Sequence, residues 1–120
     1  MRHQQRVGHW GEKIAAEFLE SQGCEIMDHN FRTPFGELDI VARKEDIYLF
    51  VEVKTRTSNT FGLPEQAVNE EKQTHLIQAA EAYLQSHPEI MNDWRIDVIA
   101  IQKLRGEPDP KIVWFENALH

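Results

Sequence analysis

A chain of 120 residues can build one domain around one core and is too short for two, and its 41% hydrophobic and 28% charged content is ordinary for a globular protein. No apolar run nears the roughly 20 residues of a membrane span, and residues 1–6 lead into no apolar signal core, so a cytoplasmic location without membrane contact is expected. The single cysteine, Cys24, excludes an internal disulfide and a cysteine-rich zinc site, while a formal net charge of −7 counts against tight binding to phosphate backbones unless basic residues cluster locally.

Residues 1–9 are polar and basic and read as a flexible arm. Over residues 10–22, Trp10, Ile14, Ala15, Phe18 and Leu19 share one stripe at helical spacing, and Gly23 supplies the stop. Glu12 sits at the edge of that stripe, where a glutamate is ordinarily just solvated; Glu17 lies on the other flank. Cys24 suits a small buried residue at a helix-to-strand junction. Residues 24–32 read as a first strand with Ile26, Met27 and Phe31 at its apolar positions, and Thr33, Pro34, Phe35 and Gly36 turn the chain into a hairpin.

That hairpin organises the rest. Leu38, Ile40 and Val41 make one β-branched or apolar run, Tyr48, Leu49, Phe50, Val51 and Val53 a second, and the charged residues 43–46 turn between them. With the turn centred between Glu45 and Asp46, opposed residues have numbers summing to 91, so Asp39 is expected to face Glu52 and Glu37 to face Lys54. Like charges directly opposite in a sheet are destabilising, which calls for a cation between Asp39 and Glu52. Alternation puts Glu52 and Lys54 on one face, with Val51 and Val53 on the other. Oxygen donors with room for water and phosphate suit Mg²⁺ or Mn²⁺ better than zinc. A cation there can activate water and clamp a phosphoryl oxygen, while Lys54 steadies the attacking hydroxide or the developing charge. A glutamate and a lysine two apart on a strand are common on solvated edges. Here, however, four charged residues interrupt two of the most apolar runs at facing positions.

Beyond Lys54, residues 55–62 lack periodicity and read as a loop beside the proposed site, with Arg56 on the face of Glu52 and Lys54 as a phosphate contact if the strand extends that far. Residues 64–68 suit a short turn. A helix is expected from Asn69 as its N-cap to about Leu84, with Glu70 and Glu71 in the first turn and Leu76, Ile77, Ala80, Tyr83 and Leu84 on its buried stripe. Lys72 opposes the helix dipole there, which suggests another use. Ser86, His87 and Pro88 stop the helix. Residues 95–101 form a strand whose Asp97 reads more safely as the holder of backbone or Arg95 than as a ligand, and residues 112–115 a last strand in which Trp114 packs. The histidines show no metal-ligand spacing, and no glycine loop cradles phosphate, so no nucleotide cofactor is expected.

Gly36-Glu37-Leu38-Asp39 followed by Phe50-Val51-Glu52-Val53-Lys54-Thr55-Arg56 resembles the signature of the YraN family of uncharacterised bacterial endonuclease-like proteins, in the PD-(D/E)xK nuclease superfamily and similar to archaeal Holliday junction resolvases. Gly8 to Ala15 resembles the family's G-x-x-G-E-x-x-A opening, Asn30 and Arg32 its N-x-R, and Arg95 to Val98 its R-x-D-V strand. The resemblance implies an α/β, restriction-endonuclease-like fold, a mixed sheet flanked by helices in the order α-β-β-β-α-β-β. It implies metal ligation by Glu12 beside Asp39 and Glu52, with the Val53 carbonyl completing the shell. Glu37, Gln66 and Lys72 then become auxiliary residues and Arg32 a phosphate contact. The leading expectation is a Mg²⁺- or Mn²⁺-dependent endonuclease acting on DNA. The alternatives are a nuclease-fold module that binds nucleic acid or protein with little or no catalysis, and a hydrolase of small phosphodiesters. Related resolvases act as dimers, which leaves a homodimer open; no exposed apolar stripe demands one.

Overall fold

The computed structural model describes residues 3–56, 70–104 and 106–118, with side chains from Gly8 onward. Among them the elements follow the expected order: α1 (His3–Ser21), β1 (Glu25–Thr33), β2 (Gly36–Lys44), β3 (Ile47–Arg56), α2 (Glu70–Ser86), β4 (Asp93–Gln102) and β5 (Lys111–Phe115). The strands lie side by side in chain order in one five-stranded sheet. Consecutive strands pair antiparallel except β3 and β4, which are parallel. The chain between that pair includes α2, the kind of crossover a parallel pair requires.

Two-residue alternation separates two cores. Tyr48 and Phe50 of β3, with Val41, Ile96 and Val98, meet Leu76, Ala79, Ala80 and Tyr83 of α2. Leu49 and Val51, with Ile40, Ala42, Ile99 and Ile101, meet Ala15, Ala16 and Leu19 of α1 on the opposite side. Each large side chain buried in this way contributes about 1.5–3 kcal/mol. Helices on both faces of a mixed sheet give the restriction-endonuclease-like architecture expected.

Two differences from the sequence reading concern helix ends. α1 starts at His3, so the stretch expected as an arm is helical from that residue on. A helix held by its packed stripe extends at the gain of one hydrogen bond per residue fixed, and nothing in residues 3–9 is a proline. At its other end Gly23 takes φ 89° and the Cys24 N–H donates to the Leu19 carbonyl at 3.0 Å, which tucks Cys24 into the core as a buried thiol. α2 runs to Ser86, two residues beyond Leu84. Thr55 and Arg56, expected to open a loop, instead end β3, and the rest of that loop, Gln66 and the expected cap Asn69 lie outside the described residues.

The β2–β3 register follows the sum of 91 from Lys44↔Ile47 to Ile40↔Val51, where the recorded pairing ends. Within β2, Leu38 packs on the α2 side while Ile40, two residues on, packs on the α1 side. The strand therefore turns over at Asp39. Opposite, between the pairs His29↔Ile40 and Phe31↔Leu38, Asn30 adopts a left-handed φ of 50°. No described helix is long and apolar enough to cross a membrane.

Candidate active site at the parting of two strands

Where β2 and β3 stop pairing, a side chain takes over from the backbone. Asp39 Oδ2 accepts the Val53 N–H at 2.8 Å. This tie holds the aspartate between the strand ends, next to Glu52. Glu37 does not pair with Lys54; it pairs across to Arg32 in the β1–β2 ladder, and the two side chains approach to 3.6 Å. The physical reason is local: the Asp39 carboxylate captures an N–H of the facing strand, so the expected ladder never reaches Glu37.

Glu52 is only 5% exposed. It occupies the α2 face of β3 by alternation with Tyr48 and Phe50, and two ammonium groups meet its Oε1, Lys72 Nζ at 2.8 Å and Lys54 Nζ at 3.4 Å. Lys72 comes from the first turn of α2, where its charge opposes the dipole, and the contact with Glu52 accounts for that placement. Burial works against the Lys72 charge, yet the hydrogen bond and attraction of Glu52 hold its pKa above the ordinary lysine value. Burial lowers the Lys54 pKa, Glu52 opposes that shift, and neighbouring Lys72 reinforces it.

Asp39 carries the largest perturbation. Burial first, then the Glu52 charge, push its pKa up to about 8, against the stabilising Val53 N–H. At neutral pH this aspartate therefore holds a proton unless a cation compensates it. The donor set suits such a cation, because one or two carboxylates with water and phosphate oxygens are the usual complement of Mg²⁺. Among the described residues no group of three or more His, Cys, Asp or Glu side chains closes into a metal cage. The chain thus offers Asp39 and Glu52 as the pair, with Glu12 as a more distant acid.

Glu12 reaches this region because α1 presses directly on the end of β3. A Cβ built at Gly11 would collide with the Thr55 Oγ1, so glycine allows the close approach. Burial, then Glu37, raises the Glu12 pKa, and Glu52 contributes in the same direction. Asn30 Nδ2 donates to Glu12 Oε2 at 2.9 Å. The sequence matched Asn30 to the N-x-R motif without giving it a chemical role, and its left-handed backbone leaves no periodic signal. Gly11 did leave one: a glycine inside a helix costs about 0.5–1 kcal/mol relative to alanine and calls for a reason.

The remaining candidates separate clearly. Arg56 ends β3 on the face of Glu52 and Lys54, half-buried, and its carbonyl accepts the Lys103 N–H. Arg32 is 90% exposed at its side chain. Asp97 lies away from the site and, as expected, holds Arg95; it also accepts Trp114 Nε1 at 2.8 Å and the Asn117 N–H at 2.9 Å. Trp114 packs edge-on against Phe18.

Comparisons with known proteins bear on the family and the fold. Residues 11–101 match the profile described as Uncharacterised protein family UPF0102. The chain is 48% identical over 101 residues to a UPF0102 protein of Syntrophotalea carbinolica, covering 84% of this chain and 81% of that one. It is 43% identical over 115 residues to a UPF0102 protein of Alkaliphilus oremlandii, covering 94% and 97%. Among solved structures it is similar to Hjc of Archaeoglobus fulgidus, a Holliday junction resolvase, with a TM-score of 0.50 and 20% identity over 88% of this chain and 72% of that one. At that identity the likeness establishes the fold.

Proposed function

We propose, from the premise that this chain belongs to the Uncharacterised protein family UPF0102, that it is a metal-dependent endonuclease hydrolysing DNA phosphodiester bonds, with selectivity for DNA structure. One observation carries the reading: Asp39 and Glu52 converge from two strands, with Lys54 on Glu52, at the point where those strands part. The fold shared with a junction resolvase supports it.

In this reading Asp39 and Glu52, with the Val53 carbonyl, hold Mg²⁺ or Mn²⁺, which when bound supplies charge neutralisation at phosphorus and an acidified water. Lys54 orients the attacking water and stabilises the charge gathering on the phosphoryl oxygens. Glu52 positions Lys54, and Lys72 fixes Glu52 from the other side. Glu12 and Glu37 are supporting acids and Gln66 an auxiliary polar group. Arg32 and Arg56 contact flanking phosphates, supplying local positive charge despite the net −7. DNA is the partner; no nucleotide cofactor takes part.

The test is Mg²⁺- or Mn²⁺-dependent cleavage of single-stranded, duplex, flap and four-way-junction DNA beside a Lys54→Ala protein purified identically. Cleavage that falls on the order of 10²–10³-fold in the variant is the expected result. No cleavage, or equal cleavage by both, overturns the reading.

A second reading has its own observation: both ammonium groups already sit on Glu52, and the described residues supply no third His, Cys, Asp or Glu side chain to form a cage. This favours a nuclease-fold module that binds without cutting. A calorimetric Mg²⁺ titration separates the two, since Asp39→Asn abolishes binding at a metal site and changes little at a pair already neutralised by lysine.

A further inference from the structure

Beside the carboxylate pair the structure holds a cleft that the cleavage chemistry does not use. Its walls are Phe35 from the β1–β2 turn, Glu37 from the start of β2, and Lys72 and His75 from α2, over a floor of Leu76 and Ala79. Its volume is about 160 Å³, room for one planar ring.

Phe35 is 44% exposed, an unusual position for a phenyl ring. The turn that presents it is braced: Thr33 Oγ1 accepts the Phe35 N–H at 3.0 Å and donates to the Gly36 carbonyl at 2.7 Å. Gly36 takes φ 136°, a conformation that L side chains rarely adopt. The ring is therefore held out by its backbone. On the α2 wall His75 is exposed, so each wall of the cleft carries one aromatic side chain. Lys72 joins the cleft to the site, because the ammonium that lines one touches Glu52 in the other.

We infer that this cleft receives one unstacked base of a DNA strand whose phosphate lies at the Asp39–Glu52 pair. The inference rests on the phosphodiesterase reading, and it narrows the substrate to DNA with a single-stranded nucleotide at the cut. Phe35 supplies the stacking face, Lys72 neutralises the adjoining phosphate, and Glu37 at the rim accepts from an exocyclic amino group. Stacking on an aromatic side chain tolerates any base, so it selects for strand openness and not for sequence.

The test uses the full chain, a fluorescein-labelled single-stranded DNA dodecamer, and the same backbone made entirely abasic. Binding is followed by anisotropy with Ca²⁺, and Mg²⁺-dependent cleavage is assayed alongside. Phe35→Ala is expected to weaken binding of the base-bearing strand about 5- to 100-fold and to leave the abasic strand unchanged, with Phe35→Trp retaining affinity. Equal weakening on both strands, or none on either, overturns the base site. Cleavage by the wild type with Phe35→Ala affinity intact removes the cleft and leaves the phosphodiesterase standing. Binding through Phe35 without cleavage keeps the cleft and removes the catalysis. A wild type that neither binds nor cleaves removes both.

Discussion

Two aspartates of the same sheet meet opposite treatment. Asp97 is completely buried, and Arg95, Trp114 and the Asn117 backbone all donate to it, with Arg95 reaching on to Glu116. Asp39 accepts the Val53 N–H but faces like charge from Glu52 and Glu12, and the pull of Lys72, itself on Glu52, does not offset it. The first carboxylate has donors for both of its oxygens and ties β4 to β5. The second is held in position and left short of positive charge, the condition of a group built for a ligand.

The contrast breaks first at Asp97. Asp97→Ala leaves Arg95 and the Trp114 N–H without their acceptor and is expected to cost about 3–5 kcal/mol of folding stability, read from urea unfolding. Asp39→Asn, by contrast, keeps an acceptor for Val53 and should leave the neutral-pH midpoint unchanged or higher. Equal losses at the two positions would erase the distinction.

The same contrast has a pH signature. The Asp39 pKa lies at about 8 in the fold against an ordinary 3.8, so between those values the folded state binds more protons than the unfolded one. In metal-free buffer, stability of the wild type relative to Asp39→Asn should therefore fall as pH rises from about 4 to about 8, and Mg²⁺ should restore it at the upper end. A difference between the two proteins that stays flat across this range would contradict the assigned burial.

Smaller effects sharpen the picture. Gly11→Ala drives a methyl into Thr55 and is expected to cost about 1–3 kcal/mol while moving Glu12 away from the site, checked by unfolding together with Mg²⁺ affinity. Lys72→Met removes the closer ammonium from Glu52. Apparent Mg²⁺ affinity in calorimetry is expected to rise several-fold, on the order of 1 kcal/mol, because the ion then displaces one fewer cation.

Much of this was legible in the sequence for physical reasons that can be named. Period-two alternation and a short charged turn fix the hairpin register, which is why Asp39 and Glu52 could be brought together from their numbers. The same arithmetic failed at Glu37 and Lys54 because a carboxylate competed with the backbone for Val53, an event that no pattern of hydrophobicity records. Lys72 left a trace through its adverse place in the helix dipole. Asn30 showed only as part of a motif, and its contact with Glu12 stayed hidden because it depends on a left-handed turn of the backbone beneath α1.

The order of the sheet bears on how the protein assembles. β1, β2 and β3 form a meander of near neighbours in the chain, whereas β4 joins β3 only after the connection containing α2 has closed. Local pairings form fastest, so Asp39 and Glu52 come together in the meander, before the helix arrives with Lys72. For an interval during folding the two acids stand without that ammonium, and a divalent ion in the refolding buffer would act on the rate at which the meander forms as well as on the finished site.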